Sequence, residues 1–89
     1  MVSIRNARRI KKINNMKELR MKRLQKEVQE RVLMNDGNLN KSFQEVLDHL
    51  YKEHETYWDN DRIVQSMDVM RDINTLKEMI NKYNTQQNN

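Results

Sequence analysis

Cysteine and proline are absent from this chain of 89 residues, and glycine occurs once, at Gly37. Without cysteine there can be no disulfide and no cysteine-based zinc site. Without proline, and with one glycine, almost nothing in the sequence interrupts a helix. No run of β-branched and aromatic residues alternates with period two, so strands have no support. No apolar stretch approaches the roughly 18 residues that a membrane span requires. The start of the chain also lacks a continuous apolar h-region, so a cytoplasmic location is expected. Five aromatics (Phe43, Tyr51, Tyr57, Trp58 and Tyr83) carry most of the large apolar surface. A core this thin leaves little margin over chain entropy, and a homodimer is the expected remedy.

What the chain has in quantity is charge, unevenly placed. Residues 1–34 hold eleven Lys or Arg against three acids, a balance of +8. Residues 35–89 hold six against ten, a balance of −4. Such a division points to a basic surface for a polyanion and a more acidic half that packs.

The periodicity predicts three helices. Met21, Leu24, Val28 and Val32 recur at helical spacing, which predicts a helix over Lys17–Met34. Ile4, Ala7, Ile10, Ile13, Met16 and Leu19 recur every three residues, a stripe that winds round a helix instead of running along it. Residues 3–13 are therefore expected to be helical only when bound, with Asn14-Asn15 a weak joint. Asn35-Asp36-Gly37-Asn38 is the predicted stop, with Gly37 suited to the left-handed position after a helix. Ser42 and Glu45 have the spacing of a capping box at the start of the second helix. Phe43, Val46, Leu47, Leu50, Tyr51, Tyr57 and Trp58 form its apolar face, with Trp58 read as a core plug. Asp59-Asn60-Asp61 is read as a cap cluster for a third helix over Arg62–Tyr83. Its apolar set, from Ile63 and Val64 to Ile80 and Tyr83, is wide enough to touch two neighbours. Met70, Ile73 and Ile80 are assigned to a contact between protomers. The organisation expected is a basic arm over 1–16, a helical domain over 17–83 and a disordered polar tail over 84–89.

Catalytic chemistry is not apparent. His49 and His54 are five apart and point about 140° away from one another on a helix, so they cannot share a metal. There is no Gly-rich phosphate loop, no nucleophile beside a base, and no paired carboxylates. Asp36-Gly37-Asn38 lacks the ligand spacing and terminal glutamate of a calcium loop. No enzyme, cofactor or metal is expected.

The basic segment is the informative feature. Arg5, Arg8, Arg9, Lys11, Lys12, Lys17, Arg20 and Arg23 are the candidate phosphate-binding residues. Arg5, Arg8, Arg9 and Lys12 follow i, i+3, i+4, i+7, a ridge that can track a phosphate backbone. A mitochondrial presequence shares the acid-free, Arg-rich start, but here the basic residues persist past where one would end. An acidic membrane surface would need more than scattered isoleucines on the apolar side.

At the turn and the second helix the chain resembles the small double-stranded DNA-binding protein of T-even-type phages. The matching residues are Asp36-Gly37 after a charged helix, then Phe43, Val46-Leu47, Leu50-Tyr51-Lys52 and the aromatic at Trp58. That family is helical and implicated in late transcription, so the resemblance implies duplex DNA binding and a phage or mobile-element source. It transfers no contact residue to this chain. The expectation is an all-α, three-helix protein with a long basic N-terminal helix or arm and a helical hairpin. Its expected role is that of a DNA-binding accessory protein meeting double-stranded DNA through phosphates. The alternative is a helical adaptor or inhibitor whose arm binds an acidic protein surface.

Overall fold

With so little to stop a helix, the chain forms three long ones. The computed structural model describes the backbone of residues 4–87 and the side chains of residues 16–86. The helices are α1 (Ile4–Met34), α2 (Leu39–Asp59) and α3 (Ile63–Gln87), and no strand occurs among the described residues. The protein is all-α.

α1 passes through Asn14-Asn15 without a break, so no joint separates the expected arm from the rest of the helix. An asparagine in a helix interior costs less than about 1 kcal/mol relative to alanine, too little to stop a 31-residue helix by itself. α3 likewise runs beyond Tyr83 to Gln87, so the expected tail is helical over 84–87, and residues 88–89 lie outside the described residues. In this last stretch the Thr85 hydroxyl donates to the Asn81 carbonyl at 2.8 Å.

Both turns are built alike, from an Asn-Asp pair. At the end of α1, the Gly37 amide donates to the Val32 carbonyl at 2.9 Å while Asp36 takes φ +54°. At the end of α2, the Arg62 amide donates to the Tyr57 carbonyl at 2.9 Å while Asp61 takes φ +59°. These six-residue closures satisfy carbonyls that a helix end leaves open. The left-handed residue of the first turn is thus Asp36, with Gly37 following at φ +85°. Asp59-Asn60-Asp61 closes α2 and does not cap α3: Asp59 is its last residue and Asn60 its C-cap.

α2 also starts earlier than the Ser42–Glu45 spacing predicts. Its N-cap is Asn38, whose side chain accepts from the Lys41 amide at 3.1 Å. Leu39, the first residue of the helix, packs against the core, which draws the start back by a turn. Ser42 is buried inside the helix, its hydroxyl donating to the Asn38 carbonyl at 2.7 Å.

The core consists of Leu24 and Val28 from α1, Phe43, Val46 and Leu50 from α2, and Val69, Ile73 and Leu76 from α3. Each such side chain contributes roughly 1.5–3 kcal/mol by leaving water. α2 and α3 pair as an antiparallel hairpin. The Phe43 and Tyr83 rings meet at 5.8 Å near one end, and Lys77 Nζ sits 5.5 Å above the Tyr51 ring further along. α1 crosses this hairpin obliquely. Lys17 reaches Glu78 and Arg23 reaches back to Asp72, whereas Met21 and Val28 share a groove with Met79 and Tyr83.

This arrangement explains the width of α3's apolar set, because both α2 and α1 lie against it. Ile73 is fully buried within the chain, and Met70 and Ile80 pack half-buried on the same core. Ile73 is therefore closed to the protomer contact expected of it, while Met70 and Ile80 keep part of their surface exposed. Trp58 is no core plug: it is exposed, with its ring stacked against His54.

Candidate nucleic-acid interface

α1 carries every residue assigned to phosphate binding, and the fold treats them unequally. Arg20 and Arg23 are three apart, so they lie on adjacent turns of one side of the helix. Both reach Asp72, a buried residue of α3. Arg23 Nη2 donates to Asp72 Oδ1 at 2.6 Å, the short distance of a charge-assisted hydrogen bond. Arg20 Nε stands 2.9 Å from the same oxygen as an ion pair, with its N–H aimed outside hydrogen-bonding geometry. These two arginines hold α1 on α3.

Lys17 is exposed and only 4.0 Å from an equally exposed Glu78, a contact worth little in water. The side chains of Arg5, Arg8, Arg9, Lys11 and Lys12 lie outside the described residues; their backbone belongs to α1. Lys22 and Lys26, one turn apart, are exposed and have no ion partner among the described residues. Their i, i+4 spacing away from Leu24 and Val28 makes them an outward face that extends the basic run.

Arg31 ends the basic series in a different role. At the α1–α2 turn, Asn35 Nδ2 donates to Glu45 Oε2 at 2.9 Å and to Ser42 Oγ at 3.2 Å. Arg31 Nη1 approaches the same Glu45 oxygen at 3.5 Å. The Asn35 amide, with Arg31 behind it, holds the Glu45 carboxyl below its ordinary value of 4.5. Glu45 is thus a tie between helices and not a member of a capping box.

The remaining chemistry is sparse. His49 Nε2 pairs with Glu53 at 3.1 Å on the surface of α2, and His54 stacks with Trp58 at 6.4 Å and 14°. No group of three or more potential metal ligands occurs among the described residues. An open groove of about 420 Å³ lies between the three helices, floored by Val28, Phe43 and Met79. Its lining brings Lys82 and Tyr83 but no acid–base pair and no nucleophile beside a base. No helix among the described residues is long and apolar enough to cross a membrane. No protein-family model, curated protein or solved structure matches the chain.

Proposed function

We propose that the protein binds double-stranded DNA without sequence preference, through phosphates, along the basic N-terminal part of α1. The observation that carries this reading is a run of one-signed charge at the start of one continuous helix. Among the described side chains, core packing and ion pairing draw on α1 between Lys17 and Val32. Arg5, Arg8, Arg9, Lys11 and Lys12 precede that stretch with no acid among them, and the first acid of the chain is Glu18. Exposed Lys22 and Lys26 prolong the excess on the outer face. A helical rod of one sign attracts a duplex at long range, and each phosphate it neutralises releases counterions.

The test is a titration of the whole protein against duplex DNA, single strands and RNA over a range of salt. A slope of log K against log salt near about −5 on duplex is expected, since one helix can present only part of its charge. Feeble duplex binding with a shallow slope at low salt would instead favour an adaptor whose arm meets an acidic protein.

A further inference from the structure

The hairpin is well covered where α1 crosses it and bare at its far end. Around the α2–α3 turn Trp58 is 57% exposed, Ile63 44%, Val64 75% and Met67 55%. On α3 the last three stand at i, i+1 and i+4, so they form one face. Scattered exposed apolar residues are normal, but four around one turn make a patch. The patch has an acidic setting. Residues 53–68 contain Glu53, Glu55, Asp59, Asp61 and Asp68 against a single Arg62, a balance of −4.

We propose that this patch receives the basic N-terminal segment, residues 4–15, of a second copy of the chain. That segment carries five positive charges and no acid, together with Ile4, Ala7, Ile10 and Ile13. It is complementary to the patch in both charge and apolar content, and complementarity of this kind directs encounter and suppresses wrong pairings. Two patches brought face to face would set like charges against each other, which disfavours direct stacking of the turns. If each copy lends its segment to the other, the contact is two-fold and closes as a dimer. A second copy and duplex phosphates are competing uses of the same charges, but the contact itself needs no nucleic acid.

Sedimentation of the full chain without DNA, at micromolar concentration and in low and high salt, tests this. The parent is expected to be a dimer that weakens as salt rises. Val64→Asp with Met67→Asp should give a folded monomer, since both positions are exposed. Arg8→Glu with Arg9→Glu should also give a monomer, and adding Glu55→Lys with Asp59→Lys to it should restore the dimer. A parent that stays monomeric throughout overturns the proposal. So does a dimer that survives both the patch and the arm substitutions. A monomer whose Trp58 fluorescence still responds to Arg8→Glu and Arg9→Glu would place the arm on its own patch, which also overturns a second copy. None of these readings uses DNA, so the DNA-binding proposal fails or stands separately.

Discussion

Arg23 and Asp72 are 49 residues apart in the chain and 2.6 Å apart in space, and Arg20 joins them on the same carboxylate oxygen. Two of the arginines that composition assigns to DNA are thus committed to holding α1 on α3. Asp72→Asn separates the two roles. Removing one member of a buried charged cluster leaves the others uncompensated and is expected to cost about 3 kcal/mol, less for the exposed Arg23 than for Arg20. In whatever fraction remains folded, the released arginines should steepen the duplex salt slope by up to about two units. Urea melts and salt titrations of the same variant check both. Arg20→Ala should lower stability and leave the slope nearly unchanged.

The core makes a simpler demand. Leu50→Ala removes a buried side chain facing α1 and α3 and should cost about 2–5 kcal/mol, a large part of the stability of a domain this small. His49→Ala, its exposed neighbour, loses only a surface contact with Glu53 and should be nearly silent by thermal melting. The opposite ranking would refute the assignment of faces on α2.

The Asn35–Glu45 tie is expected to respond to acid. A carboxyl whose pKa is depressed on folding stabilises the protein above its unfolded value and loses that contribution as pH falls through its folded value. Glu45 is lowered chiefly by the Asn35 hydrogen bond, so its share should be present at neutral pH and fade below 4.5. Glu45→Gln should flatten that part of the curve of urea midpoint against pH, and Asn35→Ala should do much the same. Unchanged acid sensitivity in both variants would deny the tie any energetic role.

Backbone strain yields a further expectation. Asp61 holds a left-handed conformation that a Cβ disfavours, although Asp tolerates it better than most residues. Asp61→Gly should therefore be neutral or stabilising by up to about 1 kcal/mol, and Asp61→Val destabilising by more than that. Thermal melts of the pair report the sign.

The three helices and most of the core were legible in the sequence because apolar spacing near 3.6 is a local signal that burial then enforces. Leu24, Val28, Phe43, Val46 and Leu50 needed no more than that. The start of α2 was not legible, because Ser42–Glu45 imitates a capping box and only the packing of Leu39 shows that the helix begins a turn earlier. Trp58 belongs to the same apolar stripe as Leu50, but the stripe outlasts the crossing helix that could cover it. The least legible feature was Asp72. Nothing in the local pattern of one acid in α3 announces a partnership with arginines two helices away, so the basic surface looked larger than the fold leaves it.

That difference sharpens the last prediction. With Arg20 and Arg23 held by Asp72, the phosphate contacts of the proposed site come from the six basic residues before Glu18 and from Lys22 and Lys26. Replacing Arg8, Arg9 and Lys12 with Ala should then remove about three units of the salt slope on B-DNA. Binding should weaken alike on every duplex sequence, because phosphate contacts carry no base information. Lys22→Ala with Lys26→Ala should take away a smaller part, at most about two units. Helix content over 17–83 should hold in both variants, since Arg8, Arg9 and Lys12 precede that stretch and Lys22 and Lys26 are exposed. Fluorescence anisotropy on two unrelated duplexes at several salt concentrations reads all of this. A triple variant that binds as tightly as the parent at every salt concentration would remove the arm from the DNA site, and with it the support for the proposed function.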